Sequence, residues 1–185
     1  MRILTMAEPE TPPGLRAQVQ ALQDRAWPGG GPHDPALRPV AMLLVGDDGG
    51  VRAALDILSK EITHAGRTYR ASGLSAVVTD TAHRGKGYGR QLVAAAREAI
   101  AANGTDLALF TCDRPLQGFY ESAGWQALPG TVLIGGTPRD PFPSDRPGFD
   151  KVTMGAFFTA RARSDADAFE QSRIGLYPGE IDRLW

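Results

Sequence analysis

The sequence predicts a mixed α/β domain built on a mostly antiparallel central sheet, and three observations predict it. Hydrophobic periodicity switches between helical and strand spacing in the order helix, three strands, helix, strand, helix, two strands. The turn segments between the early strands are too short for anything but antiparallel neighbours. A glycine-rich turn then joins a strand to an amphipathic helix. At 185 residues the chain has room for one sizeable core and not comfortably for two, so residues 1–185 are read as a single domain with a tail at 175–185.

Thr11 reads as a helix N-cap and Pro12 as the first helical residue. Leu15, Val19 and Leu22 then recur at helical spacing toward Trp27. Glycine and proline dominate residues 28–39 and exclude regular structure there. Ala41 to Val45 is a short apolar strand, followed by turn chemistry from Gly46 to Gly50. Residues 51–62 fit a strand through Val51, Ala53, Leu55 and Ile57, and also a helix face through Val51, Leu55, Leu58 and Ile62. The turn signals on both sides, His64-Ala65-Gly66 among them, favour a hairpin whose second strand runs from Thr68 to Thr79.

Farther on, Leu92, Val93, Ala96 and Ile100 form a helical stripe that stops at Asn103-Gly104. Leu107 to Phe110 reads as a buried strand, Pro115 to Ser122 as a short helix, and Trp125 to Ile134 and Val152 to Phe158 as the last strands. Residues 135–150 form a proline-rich loop longer than a connector needs, either functional or disordered. A short polar helix near Asp165 to Ser172 precedes the tail.

Composition excludes several classes of function. Hydrophobic residues are 42% and charged residues 22%, an ordinary globular balance, and the formal net charge of -1 draws the chain toward neither nucleic acid nor a membrane surface. Cys112 is the single cysteine, and with three scattered histidines no Cys/His metal set is assembled, so no metal is expected. No apolar run approaches a membrane span, and the first residues lack a leader's apolar core, which implies a reducing, cytoplasmic setting.

The segment with the most chemistry is Arg84-Gly85-Lys86-Gly87-Tyr88-Gly89, at a strand-to-helix junction. Glycines there let the backbone turn tightly and approach a ligand. The first helical amides and the helix dipole favour an anion, and Arg84 and Lys86 add positive charge. The segment suits a diphosphate, although a plain glycine-rich helix cap has the same appearance. The Walker spacing fails, because Gly89 is followed by Arg90-Gln91. The dinucleotide fingerprint also fails, because the spacing is G-x-G-x-G and an antiparallel hairpin precedes it.

The remaining pattern, Arg/Gln-x-x-Gly-x-Gly/Ala, is met by Arg84, Gly87 and Gly89, and it resembles the acetyl-CoA signature of the GNAT acetyltransferases. Phe119-Tyr120-Glu121-Ser122-Ala123-Gly124-Trp125 resembles the same family's second signature. The resemblance implies the GNAT fold, with a splayed strand pair at the acetyl-CoA site and helices on both faces of the sheet. It implies that Val77, Val78 and Thr79 line the pantetheine arm and that the Val77 amide polarises the thioester carbonyl. Plain core packing is the alternative for Val77 and Val78. Residues 84–89, Tyr88 included, would hold the pyrophosphate, and Tyr120 would be the general acid. A buried tyrosine tied to the backbone is the alternative for Tyr120.

Within the family the tail resembles that of aminoglycoside 2′-N-acetyltransferases, which end in an acidic stretch and a final tryptophan. This likeness runs from Ala41 onward and is weak in the first forty residues. It implies that the Trp185 carboxylate acts in catalysis, and that Glu180, Asp182 and Asp150 make an acidic pocket for a small cationic amine. Solvated surface is the alternative for these acids. The subfamily has a glutamate two residues before the position of Val77; here Ser75 stands in that part of the acceptor site. The donor implied is acetyl-CoA, and family precedent implies a homodimer. Two rival functions remain at this point: an acetyltransferase for a peptide or polyamine amine, and a non-catalytic acyl-CoA-binding sensor. His33 and His64 fall in loops and give no signal, His83 faces solvent or phosphate, and Cys112 is read as inert packing.

Overall fold

Antiparallel hairpins build the first half of the protein. The computed structural model describes residues 1–177 and 184. Strand β1 (Arg2–Ala7) leads to helix α1 (Pro13–Ala26), and strands β2 (Val40–Val45), β3 (Val51–His64) and β4 (Arg67–Thr79) follow as a meander. Helix α2 (Tyr88–Ala102) crosses over to β5 (Leu107–Asp113). After it come the short helix α3 (Gln117–Glu121) and strands β6 (Gln126–Ala127), β7 (Val132–Gly136), β8 (Pro141–Pro143) and β9 (Lys151–Phe157). Helix α4 (Ala160–Ser164) and strand β10 (Arg173–Gly175) complete the described elements. The main sheet has seven strands in the order β1-β2-β3-β4-β5-β9-β6, and β10-β7-β8 form a smaller one.

The hairpin reading of residues 51–79 holds, and its turn shows why. Ala65 and Gly66 have φ of 48° and 74° between paired His64 and Arg67, the left-handed pair whose twist matches a two-residue hairpin. Both faces of the sheet are covered. Met42 and Leu44 of β2 pack with Leu92, Val93, Ala96 and Ile100 of α2, whereas Leu43 and Val45 pack with Leu22 of α1. In β5 the same alternation sends Ala108 and Phe110 toward α2, and Leu107 and Leu109 toward the small sheet and Phe169. Such double-sided burial makes these strands read as continuous apolar runs.

Several boundaries differ from the sequence reading. β1 was not anticipated; it is an edge strand, partly exposed, and its order comes from pairing with β2. α1 begins at Pro13 with Pro12 as N-cap, one residue later than the Thr11 cap predicts. The single strand expected over Trp125 to Ile134 is two strands in different sheets, separated at Gly130, whose φ is 69°. The helix expected over Asp165 to Ser172 is a short 3-10 helix at Ala166–Phe169, and α4 precedes it, where the Thr159 hydroxyl accepts from the Ala162 amide at 3.2 Å. Residues 135–150 are not an open loop. They contain β8, and they are tied down by an Arg173–Asp145 ion pair at 2.7 Å and by Arg146 over the Phe142 ring. Among the described residues no helix is long and apolar enough to cross a membrane.

Asp106, at the entry to β5, joins three elements. Its carboxylate accepts the Arg70 amide at 2.9 Å, the Thr159 hydroxyl at 3.1 Å and the Arg161 guanidinium at 3.1 Å. Burial by itself would raise this carboxyl, but those donors together hold it below the usual carboxylate range. A depressed native pKa contributes stability that is present above the unfolded value, about 3.9, and lost as pH falls through the folded value. Asp106→Asn is expected to cost about 1–3 kcal/mol at neutral pH, and to flatten the loss of stability below about pH 4, both read from urea unfolding at a series of pH values.

Candidate active site

Strands β4 and β5 run parallel but pair only at Ala71 with Leu107 and at Ser72 with Ala108. Beyond those pairs β4 continues to Thr79 and β5 to Asp113, where β9 and not β4 is its partner. Backbone groups on the departing edge of β4 therefore have no β5 ladder, and they need water or an extended ligand to satisfy them. On its other side β4 is bulged: Asp56 pairs with Ser75, yet Ala54 pairs with Val78, so two residues of β4 oppose one of β3. Ala76 sits in this bulge at φ 49°, a left-handed conformation uncommon for a residue with a Cβ.

The bulge sorts the predicted pantetheine residues. Val78 is 6% exposed and its side chain belongs to the core against α1, so the packing reading holds for that side chain. Val77 is half-buried and packs on the α2 side of the sheet. Thr79 also faces α2: a Cβ added at Gly89 would come within 2.7 Å of its hydroxyl oxygen and 3.4 Å of the Phe119 ring. Gly89 is thus required by close packing of the helix start on β4 and α3.

Gly85 and Gly87 serve a different purpose. Their φ values of 77° and 79° carry the chain in left-handed conformations into α2, and a Cβ at either would meet open space. Gly87 is the N-cap and no side chain caps the helix. The first amides of a helix without a side-chain cap are a ready anion site. Arg84, Lys86 and Arg90 are exposed around it, and the Arg84 Nε reaches the Thr79 carbonyl at 3.4 Å. Tyr88 lies half-buried with the His83 ring stacked at 6.3 Å, and His83 is itself bonded to Asp80 at 2.6 Å.

Tyr120 is 6% exposed in α3, against Phe110 and Phe119 at 5.0 and 4.9 Å between centroids. Burial pushes its phenol well above the ordinary tyrosine value, so it stays protonated at neutral pH and keeps a proton to donate. Its hydroxyl has no hydrogen-bond partner among the described residues. The backbone-tied alternative for its hydroxyl is therefore not what the structure shows. Cys112 lies close by with its thiol pushed up to about 11 by burial, which agrees with inert packing.

On the α1 side of the bulge lies a cavity of about 960 Å³. Ser75 and Ala76 form part of its floor, α1 contributes Gln23 and Asp24, and the wall opposite is the 28–39 segment. That segment is held by Leu37, 2% exposed, and by Asp34, which caps a 3-10 turn at the Ala36 amide. Glu8, Asp24 and Asp56 bring carboxylates to the cavity, and half-exposed Trp27 brings an aromatic face. Asp56 is 6% exposed, and its Oδ2 is 3.3 Å from both the Gln23 amide and the His33 Nε2.

The sequence alone does not bring this group together, because His33 falls in a loop and Asp56 within an apolar strand. A usable signal was present, since a charged residue within Ala53-Ala54-Leu55-Asp56-Ile57-Leu58 is seldom buried without a partner. Asp150, expected in the acceptor pocket, does not line this cavity. It is largely exposed, bonded to Arg114 at 2.7 Å, and neither it nor any other residue of 135–150 lines the cavity. Glu180, Asp182 and Trp185 lie outside the described residues. Among the described residues no three His, Cys, Asp or Glu side chains gather as a metal site.

A sequence model of the acetyltransferase (GNAT) domain matches residues 14–128, a span that includes α1, the glycine turn and Tyr120. No curated protein matches the chain in sequence. Solved structures share its fold. Escherichia coli ElaA is similar at 16% identity and a TM-score of 0.60, over 84% of this chain and 99% of its own. The Escherichia coli GNAT family N-acetyltransferase YhbS, solved with CoA, is similar at 16% identity and a TM-score of 0.60, over 96% and 91% of the two chains. An aminoglycoside 6′-N-acetyltransferase complexed with coenzyme A is similar at 14% identity and a TM-score of 0.57, over 85% and 98%.

The bulge conformation is directly testable. Ala76→Gly removes the Cβ that disfavours φ 49° and is expected to raise stability by about 0.5–1 kcal/mol in urea unfolding, the relief exceeding the entropy a glycine adds to the unfolded chain. A loss of stability would show that the position carries no strain.

Proposed function

The chain belongs to the GNAT acetyltransferase domain family, and from that premise we propose that it transfers the acetyl group of acetyl-CoA to a small cationic amine, with aminoglycosides and related amino sugars as the leading acceptors. The observation that carries this reading is the junction at Ser75 and Ala76, where the unpaired edge of β4 opens onto a cavity with three carboxylates. The diphosphate sits on residues 84–89, with Arg84 and Lys86 as counter-charges. The pantetheine arm takes the missing β5 ladder along Val77 to Thr79, and the Val77 amide polarises the thioester carbonyl. Tyr120, kept protonated by burial, gives its proton to the departing sulfur.

Acceptor preference follows from charge and shape. Asp24 and Asp56 offer carboxylates to an acceptor ammonium group in a lining that also holds Arg16 and Arg38, and Trp27 suits the flat face of a sugar ring. In this reading the tail adds Glu180, Asp182 and the Trp185 carboxylate at the same cavity. Acetylation at a 2′-amine rests on the resemblance of the tail; the aminoglycoside enzyme among the similar structures is a 6′-N-acetyltransferase. The homodimer of family precedent belongs to this reading too, and sedimentation at micromolar concentration measures it.

Release of CoA thiol from acetyl-CoA, measured across aminoglycosides, polyamines, amino acids and peptides, tests the proposal. Turnover is expected with amino sugars carrying several amines. CoA binding without turnover on any amine would instead identify an acyl-CoA sensor. Tyr120→Phe is expected to lower kcat about 10- to 100-fold with acetyl-CoA affinity unchanged, and an unchanged kcat would remove it as the acid.

A further inference from the structure

We propose that Asp56 anchors a second, non-reacting ammonium group of the acceptor, so that the acceptor carries two amines about 6–10 Å apart. The inference rests on the acetyltransferase reading above and adds the spacing that reading leaves open. Asp56 is 6% exposed within the apolar run from Ala53 to Leu58, and a carboxylate there is costly unless it is bonded. Its bonds go to one oxygen only. Gln23 from α1 and His33 from the 28–39 segment both meet Oδ2, each at 3.3 Å. Oδ1 has no partner among the described residues, and it keeps contact with the cavity that Asp56 lines. Neither lysine nor arginine is paired with this carboxylate. A buried acid with one open oxygen and no such counter-charge favours a cation beside it.

Other charged groups of the cavity are less suited to the task. Asp24 is exposed and already accepts the Gln20 amide at 2.7 Å, and a carboxylate in contact with bulk water holds an ammonium weakly. The Arg16 guanidinium is committed to the carbonyls of Pro9 and Thr11, at 2.7 and 3.1 Å. Arg38 is exposed in the 28–39 wall. Arginine charge in this lining is thus exposed, whereas Asp56 is buried.

The sheet sets the spacing. Asp56 pairs directly with Ser75, and residues so paired project to one face with Cβ atoms about 5 Å apart. Neighbouring strands lie about 4.8 Å apart, so β3 is two spacings, about 10 Å, from the slot beside β4 that β5 leaves. The thioester of the reading above occupies that slot. The attacking nitrogen stands about 3 Å from the thioester carbon, and the anchored ammonium about 3 Å from Oδ1. Both lie between the two strands, which leaves the nitrogens about 6–10 Å apart, the span of extended diaminobutane to diaminoheptane. The anchored nitrogen is not the one that reacts. A carboxylate favours the charged form of an amine it touches, and an ammonium ion has no lone pair with which to attack.

The test measures kcat and KM by CoA thiol release for linear diamines from diaminoethane to diaminooctane, each beside the monoamine of matching chain length. KM is expected to be lowest between diaminobutane and diaminoheptane, about 10- to 100-fold below that of the matching monoamine. Asp56→Asn should abolish this advantage, so that diamine and monoamine share one KM, with acetyl-CoA affinity unchanged. A merely structural Asp56 would instead weaken both acceptors alike. Equal KM for diamine and monoamine at every length, or an Asp56→Asn that raises both by one factor, would overturn the anchor. Should Asp56→Asn fail to fold, the chain-length series on the unaltered protein still decides. Absence of turnover with any amine would overturn acetyl transfer, and calorimetry in the presence of CoA then decides on the anchor separately. Binding of diaminopentane but not of pentylamine would uphold it, and binding of neither would overturn it.

Discussion

Two strands that begin as parallel neighbours and then separate set the conditions for everything else in this protein. β4 and β5 are held together at one end, where Asp106 binds the Arg70 amide and the Thr159 and Arg161 side chains. Past Ser72 and Ala108 each strand follows a different partner, β3 on one side and β9 on the other. An unpaired backbone edge inside a folded domain is costly unless something completes it. The bulge at Ala76 and the glycine turn before α2 lie along the same departing edge, so an extended ligand ending in phosphates has a place for each of its parts.

The sheet also divides the proposed chemistry between its faces. The glycine turn and Thr79 lie on the side covered by α2, where Tyr120 is clustered with Phe110 and Trp125. Asp56, His33, Gln23 and Ser75 lie on the side covered by α1, in a cavity with charged walls. In the proposed reaction the amine is held on the polar side and the departing sulfur is protonated from the apolar side, with the bulge of β4 between them. This division suits a phenol as the acid: burial of the Tyr120 side chain holds it protonated at neutral pH.

Local chemistry made much of this visible in the sequence. The glycine turn, the two-residue hairpin at Ala65-Gly66 and the stripe of α2 each depend on residues close together in the chain, and all lie near their expected places. What could not be read depended on distant pairing. β1 is ordered by β2, whose residues it pairs with from Arg2↔Val45 to Ala7↔Val40, and the Trp125 to Ile134 run divides because its halves join different sheets. Asp56 and His33 acquire meaning only when α1 and the 28–39 segment fold over β3. Asp150 shows the converse: an acid placed by resemblance in the acceptor site proves to be paired with Arg114 outside the cavity. The acidic tail, on which the narrower resemblance depends, lies outside the described residues, so the acceptor reading now rests on the cavity of α1 and β3.

The central claim is that the open edge of β4 and the start of α2 hold the donor. Backbone amide NMR during titration with CoA tests it most directly. The account predicts that the largest shift changes fall on the amides of residues 77–79 and 85–90, with those of the β10-β7-β8 sheet unmoved. Saturable binding that leaves residues 77–79 and 85–90 unperturbed would contradict it.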